Sequence, residues 1–453
     1  MRTLYPSSVA ALTGLVALLT GCATRPSPAE LAVRRQASEL QHTYRPDNRR
    51  PALPELRADS PLDDFMRFAA LNHPQIEAAF YDWVAAVERT TAERALPDPR
   101  LTLSADFGRM LETLMPGLMA EFPGQGKVAA RVAVASAEAQ AKFHTFETEL
   151  QRVALTTKRT YQELFFLGEK IRVNRSLLAL LGELETNARR QSEAGKAPLA
   201  EVLRGQAEVA RLAAEIATME DERTRLRTQF KAALGLRADA PNPPIPNRRE
   251  TTELAYEADQ WLALAFIHNP RLKVMAAEIR MAEASLRAAT LARRPDFSAG
   301  LEADVKAAPW MWRPSLGVTL PIWRKQITAQ IAAGQAGQRA ASARLDTEQV
   351  ALAVEVAENV FRLREADRQL RLVNDTLRPN AERQLALVRA GYLGSQTSFA
   401  DVLMAQRMLL ELELQLLAAQ TQRELALTEL TLCCLGQNAE LTARTTTTGA
   451  NPP

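Results

Sequence analysis

Histidine, cysteine and aromatic side chains are scarce in this chain, and each shortage closes off a class of function. Four histidines (His42, His73, His144, His268) and three cysteines (Cys22, Cys433, Cys434) occur in 453 residues. Apart from His73 and Glu77, no histidine has a Cys, Asp or Glu four residues away, and one such pair alone makes no zinc site, so no metal site is expected. Cys433 and Cys434 are adjacent near the end of an apolar helix, where a bond between them would be strained, so they read as buried free thiols. No triad, phosphate loop or convergent acid–base cluster is present, so neither an enzyme activity nor a cofactor is expected. An excess of one charge is missing as well. The 56 basic and 53 acidic residues are interspersed, leaving a net charge of +3 and no basic face for nucleic acid. The apolar stretch from Val9 to Leu19 is too short to cross a bilayer as a helix.

What the chain does have is helix-forming composition. Ala, Leu, Glu, Gln and Arg dominate, 47% of residues are hydrophobic and only 6% are aromatic, which suits long helices with small packing residues. At the start, Met1-Arg2-Thr3 is a short positive region, the Val9–Leu19 stretch follows, and Leu19-Thr20-Gly21-Cys22 closes it, as in a removable export signal. Leu-x-Gly-Cys at that place resembles the lipobox of bacterial lipoproteins, which implies acylation of Cys22; Ala23 after it, in place of Asp, resembles outer-membrane sorting. The competing reading is an ordinary secretory signal that happens to end at a cysteine.

Most of the remaining chain is one pattern written twice. Asn72-His73-Pro74 recurs as His268-Asn269-Pro270 and Pro99 as Pro295, both prolines at an offset of 196, and the offset widens to 201 between Leu234-Gly235 and Leu435-Gly436. Solenoid and propeller units run to roughly 20–50 residues, so this is duplication of a whole structural half.

Within each copy the hydrophobic period changes. A helix is expected from Pro61, broken at Pro74, and a second over 75–95, stopped by Pro97-Asp98-Pro99. From Arg100 the pattern alternates: Leu101, Leu103, Ala105 and Phe107 on one face, polar residues on the other, with a connection through Leu111–Leu114 to a return carrying Leu118, Ala120 and Phe122. In the second copy Phe297, Ala299, Leu301, Ala303 and Val305 share a face, and Leu316, Val318 and Leu320 alternate on the return. Strands of about ten residues match a tilted crossing of a bilayer, and Trp310, Trp312 and Trp323 fall at their ends, where aromatic girdles lie. Four strands cannot close a barrel, and an open edge in lipid leaves backbone groups unpaired, so several copies must combine.

Each hairpin is followed by a long helix, about Gly124 to Glu193 and Arg324 to Ala390, with apolar spacing Val153, Thr157, Tyr161, Leu164 and Val350, Val354, Ala357, Phe361. Each is expected to end at a glycine turn, Gly195-Lys196-Ala197-Pro198 or Gly391-Tyr392-Leu393-Gly394-Ser395, before a returning helix. At 1.5 Å per residue the long helix spans about 100 Å, close to the summed length of the returning and pre-hairpin helices, so one should lie beside two stacked end to end.

These residues resemble the outer-membrane efflux family of TolC-like channels, in particular its lipoprotein members serving multidrug or heavy-metal pumps. The resemblance covers about residues 60 to 436 and rests on the paired Asn-Pro helix starts, the Leu320-Pro321 return and Ala390-Gly391-Tyr392 leading to Asp401-Val402-Leu403. It implies a mainly α protein with membrane β: duplicated helical hairpins forming a periplasmic α-barrel, and four strands per chain given to a trimeric 12-stranded outer-membrane β-barrel. The implied partners are two further copies of the chain, a periplasmic adaptor, an inner-membrane RND-type pump and outer-membrane lipid. The implied function is a passive exit channel of a tripartite efflux system; a type I protein-secretion channel shares the architecture, and a non-pore coiled-coil adaptor lipoprotein is the alternative of another class. The expected organisation is a signal peptide (1–21), a lipidated Pro/Arg-rich extended tether (22–59), a first repeat (60–236, strands about 100–122, tip about 194–198), a linker (237–250), a second repeat (251–436, strands about 296–322, tip about 391–397) and a disordered tail (437–453).

Candidate functional positions follow. Asp401 matches an acidic position at the family's tip constriction, with Glu201 its counterpart, and Gly195, Gly391 and Tyr392 complete the tips; Ser398-x-x-Asp401 equally reads as a capping box and Glu201 as a first-turn carboxylate. Asp106, Glu121, Glu302 and Asp304 on the polar strand faces would favour cations in a pore, or are simply solvated. Met110, Met115, Met119 and Met311 cluster near the hairpins, as flexible fillers or as thioether ligands for Cu(I).

Overall fold

The computed structural model describes residues 26–107, 111–195, 198–248, 258–307, 309–394 and 396–435. The signal peptide, Cys22, Met110, Gly436 and the 437–453 tail lie outside the described residues. The chain is mainly helical with one four-stranded antiparallel sheet. After α1 (Pro28–Tyr44) and a short 3-10 turn (Pro46–Asn48), the first repeat runs α2 (Leu62–Asn72), α3 (Pro74–Arg94), β1 (Arg100–Phe107), β2 (Leu111–Phe122), α4 (Lys127–Glu193) and α5 (Leu199–Ala233). The second repeats that order as α6 (Ala258–His268), α7 (Pro270–Leu291), β3 (Asp296–Asp304), β4 (Met311–Thr319), α8 (Arg324–Leu372), a π turn (Val373–Leu377), α9 (Arg378–Leu393) and α10 (Phe399–Leu435). The expected connection at Leu111–Leu114 is already strand, because Thr113 and Leu114 pair with Asp106 and Ala105.

The chain divides into two compact units. The first holds α1, most of α3, the sheet, α7 and the starts of α4 and α8. Its core is aromatic: Tyr44 and Trp83 both pack on Phe80 and Phe146, with ring centroids 5.0–6.4 Å apart. The extended tether expected over 22–59 is therefore overturned for Pro28–Tyr44. Ser27 caps this helix by accepting from the Glu30 N–H at 3.1 Å, Pro28 occupies its first turn, and Val33, Ala37 and Tyr44 line the buried face. Glu30 is fully buried, 3.4 Å from Arg34 Nε and 3.4 Å from Arg94 Nη1.

The second unit holds α2, α5, α6, α9, α10 and the later parts of α4 and α8. Val153, Thr157, Tyr161 and Leu164 are buried as the spacing predicts, and Tyr161 packs between Phe65 and Phe230. The stripe predicted on the second long helix is overturned: Val350, Val354, Ala357 and Phe361 are exposed. The covered seam is instead Leu352, Val356, Asn359, Leu363 and Ala366, alternating four and three residues apart as in a coiled coil. The helix also widens at Val373–Leu377, just ahead of Pro379. Proline has no N–H to donate and crowds the carbonyl four residues back, and a π turn relieves both.

The Asn-Pro breaks bind the far ends of the returning helices. Asn72 Nδ2 donates to the carbonyls of Leu234 (3.0 Å) and Gly235 (3.1 Å), while Asn269 Nδ2 donates to Cys433 O at 3.1 Å. Each asparagine thus satisfies carbonyls that a helix C-terminus leaves unpaired. Gly235 has φ +68°, and a Cβ there would lie 2.6 Å from His73 Cα, so only glycine fits.

Candidate functional site

Residue parity builds the sheet into a two-faced surface. Strands pair antiparallel in the order β1-β2-β3-β4. Their register aligns Leu101, Leu118, Leu301 and Pro314 in one row and Phe122, Phe297 and Val318 in another, all on one face. That face is uncovered: Leu101 is 83% exposed and Leu316 89%. On the opposite face the rows read Thr102, Gly117, Glu302, Arg313 and Arg100, Met119, Gly300, Ser315. Gly117 leaves the room this packing needs, since a Cβ there would meet Glu302 Cγ at 2.5 Å.

The four predicted lumen acids all lie on this polar face. Asp106 accepts from Thr113 Oγ1 at 2.8 Å, and Glu121 pairs with Arg100 at 3.4 Å. Glu302 stands opposite Arg313, and Asp304, 6% exposed, accepts from the Lys306 N–H at 3.0 Å. The basic partners Arg100 and Arg313 escaped the sequence reading, although their parity placed them on the acid face. Of the girdle residues, Trp310 and Trp312 stand at the start of β4 and Trp323 beyond its other end, all exposed. Pro314 falls on β4, which within the chain pairs with β3 alone.

A corner couples the two hairpins. Asp296, first residue of β3, accepts from the Gly124 N–H at 2.6 Å and from Lys127 Nζ at 2.8 and 2.9 Å. Gly124 is required there, because a Cβ would lie 2.3 Å from Pro295 O. The end of the first hairpin is thereby fixed to the start of the second.

At the other predicted site, the tips differ between repeats. Gly195 takes φ +71° just past α4, as expected of a glycine C-cap. Gly391 does not form a turn: α9 continues through it and Tyr392 to Leu393, because Gly394 caps the helix instead. Glu201 lies in the first turn of α5, behind Pro198. Asp401 Oδ2 accepts from Ser398 N (2.9 Å) and Ser398 Oγ (2.7 Å), while Ser398 Oγ accepts from the Asp401 N–H at 3.3 Å. The Ser398 hydroxyl, then its N–H, hold the Asp401 carboxyl below the usual carboxylate range. Two cross-repeat contacts that sequence spacing does not reveal lie here: Tyr392 Oη to Gln191 Oε1 at 3.4 Å, and Arg407 to Glu208 at 3.3 Å.

An open groove of about 910 Å³ lies in the second unit between α4, α5 and α10. Of its charges, Arg159 pairs with Glu163 and Arg225 with Glu222. Among the described residues no group of three His, Cys, Asp or Glu side chains is placed to hold a metal, and no helix is long and apolar enough to cross a membrane.

A sheet with one apolar and one polar face, in a chain that repeats the same order of long helices, has the arrangement of the TolC-like fold. Residues 261–434 match the outer membrane efflux protein family. By structure the chain resembles the outer membrane protein VceC of Vibrio cholerae, with TM-score 0.70 and 17% identity over 83% of this chain and 96% of that one. It resembles the CmeC outer membrane channel of Campylobacter jejuni at TM-score 0.72 and 13% identity, covering 85% of this chain and 88% of that one. The open state of the MtrE outer membrane channel of Neisseria gonorrhoeae gives TM-score 0.69 and 16% identity, covering 85% of this chain and 94% of that one. No curated protein matches the chain by sequence.

Proposed function

We propose that three copies of this chain form the outer-membrane exit channel of a tripartite efflux system, a passive duct opened at its helix tips by a periplasmic adaptor and an inner-membrane RND-type pump. The observation that carries the reading is the sheet: its apolar face is exposed along all four strands, and β1 and β4 each have a partner on one side only. In lipid each unpaired backbone group costs several kcal/mol, so β4 of one copy pairs with β1 of the next until the barrel closes. Bacterial outer-membrane barrels begin at about eight strands, which four cannot reach. The exposed stripe Val350, Val354 and Phe361 gives the helices an apolar surface for the same assembly. Cys22 carries the lipid anchor, the acidic polar face lines the pore, Trp310, Trp312 and Trp323 sit in the interfacial girdles, and Asp401 and Glu201 stand at the periplasmic constriction. The chain itself performs no chemistry; the pump supplies the energy.

Paired substitutions on adjacent residues of β3 test this. Leu301→Lys puts a charge on the lipid face at about 2–4 kcal/mol near the bilayer midplane, whereas Glu302→Gln changes only the wet face. The expected result is loss of heat-modifiable, membrane-inserted trimer for the first and normal trimer for the second. Normal trimer from Leu301→Lys would overturn the reading.

A further inference from the structure

The end of the sheet where its strands join α3, α4, α7 and α8 carries more positive charge than its own acids offset. The register brings Arg100, Phe122, Asp296 and Thr319 to that end, one residue from each strand. The basic residues there are Arg100, Lys127, Arg293, Arg294, Arg324 and Lys325. Two of them are matched: Lys127 Nζ lies 2.8 Å from Asp296, and Arg100 lies 3.4 Å from Glu121. One turn further along the helices, Arg94 has Glu30 at 3.4 Å and Arg131 has Glu93 at 4.0 Å. Arg293, Arg294, Arg324 and Lys325 are left, and the one remaining acid in the adjoining segments is Asp98.

Three features separate these cations from an ordinary solvated face. Arg293, Arg324 and Lys325 are exposed, and among the described residues their side chains make no ion pair or hydrogen bond, while Arg294 Nη1 donates to the Gln125 carbonyl. Arg324 and Lys325 also open α8, whose first turn holds no acid and whose next carboxylate is Asp346; positive charge is disfavoured at a helix N-terminus, so the chain alone gains nothing from this placement. Last, the surplus belongs to one end of the sheet. The two hairpin connections at the other end, residues 106–112 and 304–313, carry three acids and three bases. The surplus adjoins the apolar face directly, because Leu320, Ile322 and Trp323, between β4 and Arg324, are 66%, 67% and 72% exposed. Joining β4 to β1 of the next copy brings one Asp98 per chain toward four cations, so a closed ring keeps three unmatched positive charges per chain.

We propose that Arg293, Arg324 and Lys325 form a binding belt for the headgroups of anionic phospholipids in the leaflet that meets the helix end of the sheet. The apolar rows lie among acyl chains, Trp323 stands at the interface, and the cations just beyond it reach the phosphates. The guanidinium fork matches a phosphate through two parallel hydrogen bonds, and the ammonium adds a point charge. The belt rests on the reading that this sheet is part of a barrel in a bilayer.

The test reconstitutes the full-length protein into phosphatidylcholine bilayers holding a trace of chain-spin-labelled phosphatidylglycerol or phosphatidylcholine, and reads the motionally restricted fraction of each label by electron paramagnetic resonance. Phosphatidylglycerol should associate with the wild type about three-fold or more better than phosphatidylcholine at low salt, and the preference should shrink on raising the salt to about 0.5 M. Combining Arg293→Gln, Arg324→Gln and Lys325→Gln should bring the two labels close to equality, whereas Arg293→Lys with Arg324→Lys, which keeps the charge, should retain most of the preference. Lys306→Gln, beyond the other end of β3, should leave it unchanged. Equal restriction of both labels in the wild type, a preference that survives the triple change, or an equal loss in Lys306→Gln would overturn the belt. Should the triple variant fail to insert, the wild-type salt series and the Lys306→Gln comparison still decide. Both labels restricted equally leave the barrel standing without the belt; no restricted fraction from either label removes both.

Discussion

Arg407 of α10 and Glu208 of α5 meet at 3.3 Å, an ion pair that ties the returning helix of one repeat to that of the other. Both side chains are partly exposed, and such a pair stabilises by less than about 1 kcal/mol. Arg407→Ala should therefore leave the melting temperature nearly unchanged. If the tips open by parting the two returning helices, the same change should raise the open fraction in single-channel recordings, and the swap Arg407→Glu with Glu208→Arg should restore the closed level. An unchanged open fraction in Arg407→Ala would remove the pair from the gate.

The break at Asn72 holds the end of α5 by two hydrogen bonds and a backbone contact that admits only glycine. Asn72→Ala leaves two covered carbonyls without their donor and should cost about 1–3 kcal/mol. Gly235→Ala must strain a left-handed residue as well as displace His73, and should cost about as much or more. Thermal or denaturant unfolding of each variant measures this; a loss below about 0.5 kcal/mol for both would show that the break is not a structural joint.

His73 titrates from the same joint. Burial first, then the positive charge of Arg152, lower its pKa from 6.5, with Glu149 opposing, and its Nδ1 accepts from the Gln75 N–H at 3.3 Å. The neutral ring is thus favoured in the fold, so the unfolded chain takes up a proton first as pH falls. This contribution to stability is whole above pH 6.5 and declines below it until the lowered folded value is passed. His73→Gln should flatten the stability profile just below pH 6.5, and an unaltered slope there would place the titration elsewhere.

Cys434 is fully buried, and its thiol is pushed up by a hydrogen bond with Cys433 and by burial. A thiol held protonated is a poor nucleophile. Maleimide should leave Cys433 and Cys434 unlabelled in the native protein at pH 8 and label them in denaturant. Rapid native labelling would contradict the packing of the α10 end.

How much of this was legible beforehand depended on whether a signal was local. The strands were readable because a period of two fixes the face of every residue, and Leu301 and Glu302 could not exchange sides without a register slip. The helix breaks were readable because proline restricts its predecessor. Pro28–Tyr44 was misread since its prolines and arginines suggested a tether, although Ser27-x-x-Glu30 was a legible cap. The α8 stripe was misphased because the helix carries two apolar rows; Leu352 and Val356 face the unit's core, and Val350 and Val354 do not. Nothing in the sequence shows that Asn72 reaches Leu234 or that Arg407 reaches Glu208, since the two members of each pair are joined only by the tertiary fold.

The central claim is that copies of this chain close their sheets into a water-filled pore. Planar lipid bilayers containing the purified full-length oligomer, compared with Asp401→Ala, test it most directly. The account predicts discrete step currents from the wild type, cation-favouring because it places the shared polar face of Asp106, Glu121, Glu302 and Asp304 in the pore, with longer openings in the variant. An oligomer that inserts into the bilayer and yields no step currents in either form would contradict it.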